Sequence, residues 1–275
     1  MQQGRVSEIP QDRYALIIGA MKCATTSLFS YLAEHPAVAP AKIKEPEFFS
    51  RNQAHRVQVA RYQDLWDFDP DRHRYALEAS TGYTKWGERG AAERIHAYGL
   101  RPKLVYVVRD PFVRIESHYN FMLQNPTWTR GITDENLVQT SNYYLYVADY
   151  ARVFGRENLM ILDYEALSAD PHGTVNRACD FLGLAPVAVI ADASARNVTA
   201  LPKSFFERRL RRLAPALGRG APETLKRPVR RALAALRPDK SRLTPAQRRE
   251  IAATLAPDMA RLGAEYGVDV ARWGF

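Results

Sequence analysis

A short polar stretch near the start of the chain has the composition of an anion-binding loop. The apolar run 15–18 ends at Gly19, Lys22 follows, and Thr25-Thr26-Ser27 then open a second apolar run. A strand, a turn and a helix N-terminus in this order bring unpaired backbone N–H groups and the positive end of the helix dipole to one point. The lysine and the hydroxyl groups lie beside that point. We therefore predict a site here for phosphate or a similar anion.

The spacing of this loop differs from that of the Walker A pattern, in which the lysine directly precedes the Ser or Thr. Here Lys22 comes three residues before Thr25, and Ala24 stands where a second glycine is usual. The lysine is therefore expected to reach a different atom of its ligand. An ordinary strand-turn-helix with a solvated lysine is the alternative interpretation of the loop taken alone.

Two glutamates stand in settings that suit a ligand-binding cleft. Glu45 lies in the stretch KEPEFF, residues 44–49, where acidic and basic groups stand beside two phenylalanines. Such a setting suits a partly desolvated site in which a carboxylate pKa rises, and a solvated loop anchored by its two phenylalanines is the alternative. Glu78 lies near the end of a short predicted strand, so it either lines the same cleft or pairs with a neighbour as a structural acid.

A second phosphate-binding pattern follows the apolar run 103–108, which is typical of a buried parallel strand. Arg109 ends this run, Asp110-Pro111 is a helix-start signal, and Ser117 falls about two turns into the predicted helix. An arginine at the carboxyl end of a strand and a hydroxyl on the next helix can hold a phosphate together. The alternative is a structural pair between Arg109 and Asp110.

These patterns, in this order, resemble the sulfotransferases that use 3′-phosphoadenosine 5′-phosphosulfate (PAPS), in the carbohydrate or heparan-sulfate-type branch. The phosphosulfate loop of that family reads Gly-x-x-Lys-x-Gly-Thr-Thr-Ser/Ala-Leu, and the matching residues here are Gly19, Lys22, Thr25, Thr26, Ser27 and Leu28. Ala24 departs from the family's glycine. The segment Lys-Glu-x-x-Phe-Phe matches residues 44–49, and Arg-Asp-Pro with a serine eight positions after the arginine matches Arg109 and Ser117.

The resemblance implies a role for each matching residue. Glu45 is the implied general base, with Glu78 as second choice. Some members carry a substrate-orienting lysine directly after the second glutamate, and Ala79 replaces it here. Lys22 is expected to bridge the transferring group and the leaving oxygen. The implied nucleotide contacts are Lys22, Cys23, Ala24, Thr25, Thr26 and Ser27 at the 5′-phosphate, Arg109 and Ser117 at the 3′-phosphate, and Arg196, Asn197 and Lys203 in a loop over the nucleotide. PAPS is the implied co-substrate, and no metal is expected.

Composition places the chain among folded proteins. It has 275 residues, of which 46% are hydrophobic and 25% charged. We predict one domain over residues 1–275, with a core at about 12–200, a basic helical segment at about 203–249 and a C-terminal helix at about 244–275. The expected fold is α/β and P-loop-like, with three layers in which helices flank a central, mostly parallel sheet.

The two cysteines, Cys23 and Cys179, are too few for a disulfide framework or a metal cluster. Cys23 lies inside the anion loop, where a lysine and a helix N-terminus lower a thiol pKa and favour oxidation. A small filler residue is the alternative. Since the N-terminus has no signal-like apolar region and no run is long enough to cross a bilayer, we expect a cytoplasmic protein, with peripheral membrane contact left open.

The positive charge is concentrated in one segment. Residues 203–249 contain fifteen Lys and Arg against three acidic residues, a net +12, so the rest of the chain carries −3 of the total of +9. This segment either contacts an anionic membrane or acidic substrate or presents a solvated face, and no nucleic acid is expected. The rival functions are a P-loop kinase or NTPase, which needs ATP and Mg²⁺, and a basic module that binds nucleic acid or membranes.

Overall fold

The computed structural model describes residues 9–51, 61–125, 127–187 and 240–275. Its centre is a five-stranded sheet in the order β2-β3-β1-β4-β5, and every neighbouring pair is parallel. The strands are β1 (Tyr14–Gly19), β2 (Val38–Pro40), β3 (Tyr75–Ala79), β4 (Lys103–Val108) and β5 (Leu159–Asp163). This sheet confirms the predicted α/β fold.

The sheet forms the core because its central strands are mostly apolar and are covered on both faces. Every residue of β1 and β3 is buried, as expected for parallel strands covered on both faces. β1 lies between β3 and β4, with Leu16 opposite Glu78 on one side and Leu104 on the other. Because all strands run the same way, the loops that follow β1, β3 and β4 emerge at one edge, where ligands bind in open α/β sheets.

The helices flank this sheet. They are α1 (Thr25–Leu32), α2 (Ala91–Ala97), α3 (Pro111–Met122), α4 (Glu135–Gln139), α5 (Tyr143–Phe154), α6 (Tyr164–Ala169), α7 (Pro171–Phe181) and α8 (Pro245–Tyr266). Helix α1 packs on β1, β3 and α7, whereas α2 and α8 both pack on α5. Short 3-10 turns lie at Tyr62–Leu65, Thr81–Thr84, Arg156–Asn158 and Ala271–Trp273.

Local sequence signals set the ends of α3 and α8. Asp110 caps α3 by accepting hydrogen bonds from the backbone N–H groups of Phe112 and Val113, and a proline occupies the first turn. Thr244 and Gln247 form a capping box at the start of α8. The helix start predicted at Asp110-Pro111 is therefore confirmed, and the serine predicted to hold phosphate lies on α3.

Most of the basic segment, with Arg196, Asn197 and Lys203, lies outside the described residues. Its last part, residues 240–249, leads into α8 and contacts α3. Among the helices of the described ranges, not one combines the length and apolar character needed to span a bilayer.

Candidate active site

The anion loop joins β1 to α1 through two residues in the left-handed backbone region. Lys22 has φ 72°, and Ala24, directly before the helix, has φ 59° and ψ 25°. This conformation costs a residue with a Cβ atom about 1 kcal/mol, and glycine adopts it freely. Glycine would therefore be less strained than alanine at position 24, and Ala24 adopts the left-handed conformation at this cost.

The hydroxyl residues of the loop differ in exposure. Thr25 and Ser27 are buried at the start of α1, and Thr26 is exposed. Cys23 is fully buried, and burial raises the pKa of its thiol to about 12 although Arg114 and Arg109 act to lower it. Of the two interpretations considered for Cys23, a lowered thiol pKa is therefore wrong and a small filler residue is confirmed, because the desolvated thiolate is disfavoured more than the nearby charges stabilise it. Cys23 is a small packed side chain.

Gly19, the last residue of β1, has no space for a side chain. A Cβ atom placed there would collide with Oγ1 of Thr84 and would lie 2.7 Å from Cε2 of Tyr106. Thr84 in turn donates a hydrogen bond of 2.7 Å to the carbonyl of Ile18. The turn after β3 and a side chain of β4 thus meet the chain where the anion loop begins.

Arg109 links the anion loop to the end of β4. Its Nη1 donates to the carbonyl oxygen of Lys22 over 3.1 Å, and its guanidinium lies 3.9 Å from the centre of the Tyr164 ring. Tyr143 holds the backbone by donating to the Arg109 carbonyl over 2.8 Å. Asp110 caps α3, so Arg109 is oriented by Lys22 and Tyr164 rather than by its neighbour.

The guanidinium of Arg109 retains a donor for a ligand. Its Nε is buried and has no hydrogen-bond partner in the part of the chain that the structure describes. Because an unpaired buried donor is costly, this atom fits a site that receives an anion such as a phosphate. The charge of Arg109 and the backbone of the anion loop therefore suit the two phosphate groups of a nucleotide of the PAPS type.

The side chain of Lys22 packs against Phe121 of α3 and lies near the charges of Arg109 and Glu45. Its Nζ is 4.5 Å from the centre of the Phe121 ring, which is 40% exposed. Burial, and then the charge of Arg109, lower the pKa of Lys22, while the charge of Glu45 acts in the opposite direction. Ser117 is half-buried on α3, one turn before Phe121 and on the same helix face. The structure therefore brings Lys22 near both Arg109 and Glu45.

The two candidate bases have different surroundings. Glu45 is partly exposed, accepts a hydrogen bond of 2.6 Å from Lys44, and donates its backbone N–H to the carbonyl of Ala79. Glu78 is fully buried, accepts from the hydroxyl of Tyr62, and has its pKa raised to about 7 by burial. An acceptor substrate approaching from solvent can reach Glu45, whereas Glu78 resembles the structural acid considered from the sequence.

Three residues near the site have no role in the sequence interpretation. Tyr164 contacts Arg109, Phe121 contacts Lys22, and Glu47 bonds to the turn after β3. Tyr164 follows the carboxyl end of β5, so its position at the ligand-binding edge is the signal that could have identified it. Within the described ranges, no group of three or more His, Cys, Asp or Glu side chains is arranged to hold a metal ion.

Comparisons with known proteins identify the family. The sulfotransferase domain model matches residues 12–263. Heparan sulfate glucosamine 3-O-sulfotransferase 3B1 of Homo sapiens is 31% identical over 243 residues, which cover 82% of this chain and 60% of that protein. Heparan sulfate glucosamine 3-O-sulfotransferase 6 of Mus musculus is 29% identical over 242 residues, which cover 82% of this chain and 68% of that protein.

A solved structure supports the same assignment at the level of the fold. The crystal structure of a sulfotransferase from Alicyclobacillus acidocaldarius matches 96% of this chain and 99% of its own with a TM-score of 0.69, at 23% sequence identity. The chain spans about 60% of the length of the human relative. The contact between the anion loop and Arg109 agrees with this family's motifs. Because the sulfotransferase domain model matches residues 12–263, the chain belongs to the sulfotransferase domain family.

Proposed function

We propose that this protein transfers a sulfuryl group from PAPS to a hydroxyl group of a carbohydrate acceptor. The observation that carries the proposal is the 3.1 Å bond between Arg109 and the carbonyl of Lys22, which places two anion-binding elements side by side. A nucleotide with phosphates at both the 5′ and 3′ positions needs two such elements, and ATP hydrolysis does not. Arg196 and Lys203 remain predicted nucleotide contacts outside the described residues.

Each residue has a distinct part in the proposed binding. Backbone N–H groups of residues 23–27 and the N-terminus of α1 receive the 5′-phosphate, and the hydroxyls of Thr25, Thr26 and Ser27 lie beside it. Arg109 and Ser117 receive the 3′-phosphate. Burial lowers the pKa of the Lys22 amine, and a bound anion favours its charged form, so this position suits a negatively charged ligand.

The proposed reaction is a direct transfer. Glu45 takes the proton of the acceptor hydroxyl, and the acceptor oxygen forms a bond to sulfur. The bond between sulfur and the 5′-phosphate oxygen breaks, so the electron pair stays on the leaving 3′-phosphoadenosine 5′-phosphate (PAP). Lys22 stabilises the charge that develops on the leaving oxygen. The products are the sulfated acceptor and PAP.

The acceptor class is inferred from the relatives and from the sequence of the Glu45 loop. Both relatives described above are named for sulfation of heparan sulfate glucosamine. A lipid headgroup or small metabolite, an amine in place of the hydroxyl, and contact of residues 203–249 with an acidic substrate or membrane remain predictions. The cytoplasmic location expected from the sequence is likewise a prediction.

Calorimetry with PAP, ADP and ATP tests the donor. We expect PAP to bind at least about tenfold more tightly than ADP, which corresponds to about 1.4 kcal/mol. Arg109→Gln should remove most of this preference and weaken PAP binding more than ADP binding, and Arg101→Gln, at an exposed arginine before β4, is the control. Equal affinity for PAP and ADP, or tight ATP binding that requires Mg²⁺, would contradict the proposal and favour the kinase alternative.

Substitution of the two candidate bases tests the mechanism. Glu45→Gln should lower kcat by at least about 100-fold because the proton acceptor is lost, with PAP affinity unchanged. Glu78→Gln should retain most of the turnover, since Glu78 is inaccessible to an acceptor. Release of PAP from PAPS, with heparan sulfate as acceptor probe, measures both. Full activity of Glu45→Gln together with an inactive Glu78→Gln would assign the base to Glu78.

A further inference from the structure

The loop that carries Glu45 is held in an unusual conformation. Glu45 and Glu47 both adopt left-handed backbone angles, with φ 59° and 55°. Two such residues so close together are disfavoured by sterics, so the loop needs contacts elsewhere that hold this shape. Those contacts come from the turn that follows β3.

Four hydrogen bonds join the loop 44–50 to the last residue of β3 and to the turn that follows it, residues 80–84. Two are made by backbone N–H groups near the ends of the loop, Glu45 to the Ala79 carbonyl over 2.9 Å and Phe49 to the Tyr83 hydroxyl over 3.3 Å. The other two belong to Glu47. Its backbone N–H donates to Ser80 Oγ over 3.0 Å, and its Oε1 accepts from the backbone N–H of Gly82 over 2.9 Å.

The carboxylate of Glu47 is enclosed on both sides. The residue is 7% exposed, and while Oε1 binds Gly82, Oε2 accepts from the hydroxyl of Ser50 over 2.9 Å. A Cβ atom at position 82 would collide with this carboxylate, so the turn approaches it as closely as a glycine permits. One buried side chain therefore connects the middle of the loop, its end and the turn after β3.

We infer that Glu47 is a positioning residue that holds Glu45 in the orientation required for proton transfer. The inference rests on the proposed function, in which Glu45 is the base. Glu47 acts through the backbone. Its side-chain bonds fix the backbone angles of the loop at position 47, and this fixed backbone sets the direction of the Glu45 side chain two residues earlier. A displacement of about 1 Å in a reacting group can lower a rate about 100-fold, which makes such support consequential.

Three variants test this role. Glu47→Ala removes both side-chain bonds and should lower kcat about 100-fold with PAP affinity unchanged. Glu47→Gln should restore turnover to within about threefold of wild type, because the amide oxygen still accepts from Gly82 and the amide nitrogen can donate to the Ser50 hydroxyl. Glu88→Ala is the matched control, since Glu88 is also 7% exposed but accepts from the backbone N–H of Arg51, beyond the loop, and from the side chain of Arg94 on α2.

Amide hydrogen exchange provides a readout that needs no acceptor. In Glu47→Ala the amides of residues 44–50 and 80–83 should exchange faster, whereas those of the anion loop, residues 20–27, should exchange as in wild type. If Glu47→Ala is too unstable to purify, Gly82→Ala should give the same pattern, because its Cβ displaces the carboxylate.

The outcomes separate this inference from the proposed function. If the wild-type protein binds PAP no more tightly than ADP, the proposed function is wrong, and this inference is wrong with it. Wild-type PAP binding together with full turnover of Glu47→Ala on a saccharide that the wild type sulfates, or unchanged exchange in residues 44–50, would overturn the positioning role alone.

Discussion

Among the described residues, four that are not glycine have positive φ angles, and all of them lie in the two loops of the candidate site: Lys22, Ala24, Glu45 and Glu47. Strain of this kind persists where surrounding contacts over-determine the backbone, which is frequent at functional sites. The strain therefore coincides with the residues proposed to act on the donor and the acceptor.

Tyr164 is predicted to strengthen binding of the 3′-phosphate by orienting Arg109. Its ring packs against the guanidinium, a contact that contributes about 1 kcal/mol when partly desolvated. Tyr164→Leu should weaken PAP affinity about fivefold and leave ADP affinity unchanged, as measured by calorimetry. Tyr164→Phe keeps the ring and should bind PAP like wild type; an equal loss in both variants would mean that the hydroxyl, and not the ring, matters.

At the residue scale, the sequence predicted the types of side chain better than their states. Lys22 and Arg109, both predicted to bind anions, lie close together, as the order of their motifs suggested. The lowered thiol pKa considered for Cys23 is wrong because the local sequence shows a nearby helix start and a lysine but does not show how deeply the side chain is buried. Glu47 had no assigned role because its partners, Ser80 and Gly82, are more than thirty positions away.

Helix α3 is joined to the entry of α8 through a buried carboxylate. Glu116 accepts from Arg242 Nη1 over 2.7 Å, from the backbone N–H of Leu243 over 3.1 Å and from Arg248 over 3.3 Å. One turn later on α3, Asn120 both donates to and accepts from the backbone of Ser241. The helix that carries Ser117 is thus attached to residues 241–248, the last part of the basic segment.

Glu116→Ala is predicted to lower the free energy of unfolding by about 2 kcal/mol, because the buried N–H of Leu243 loses its partner. The side chains of Arg242 and Arg248 are 69% and 43% exposed, so they return to water at little cost. Urea unfolding at neutral pH measures the difference. Glu250→Ala, at an exposed position of α8, is the control and should change stability little.

The same contribution should depend on pH. Burial alone would raise the pKa of Glu116, but hydrogen bonds from Arg242 and Leu243 together with the charge of Arg242 outweigh it and lower the pKa. A carboxyl group with a lowered folded-state pKa adds stability above its unfolded pKa of about 4.3 and loses it as the pH falls through the folded value. The difference between wild type and Glu116→Ala should therefore shrink in acid, and a constant difference would contradict the assignment.

At the element scale, the strands and the start of α3 were predictable because their signals are local. Helix α5 begins at Tyr143, a boundary that depends on a distant residue. Its first turn is capped by Asp258 of α8, whose carboxylate accepts from the backbone N–H groups of Tyr144 and Leu145. A cap that comes from another helix more than a hundred residues later leaves no trace in the local pattern.

Over the whole molecule, part of the positive charge concentrated in residues 203–249 has a structural role. Two arginines near the end of the basic segment, Arg242 and Arg248, bind Glu116 and take part in the fold. For residues 240–249 these contacts favour a structural role over a partner-binding surface. The anion-binding groups of the site itself, Lys22 and Arg109, come from the part of the chain that carries a net charge of −3.

The sheet order matches the proposed division of the site between donor and acceptor. β4 and the following α3 carry Arg109 and Ser117, β3 and its turn support the Glu45 loop, and β1 lies between them. At the end of β1, Thr84 and Tyr106 approach Gly19 from these two sides with no space for a Cβ atom. A side chain at position 19 would force Thr84 and Tyr106 apart, and with them the two strand ends that support the proposed donor and acceptor sides. A residue with no side chain thus sets how closely the two sides of the candidate site approach each other.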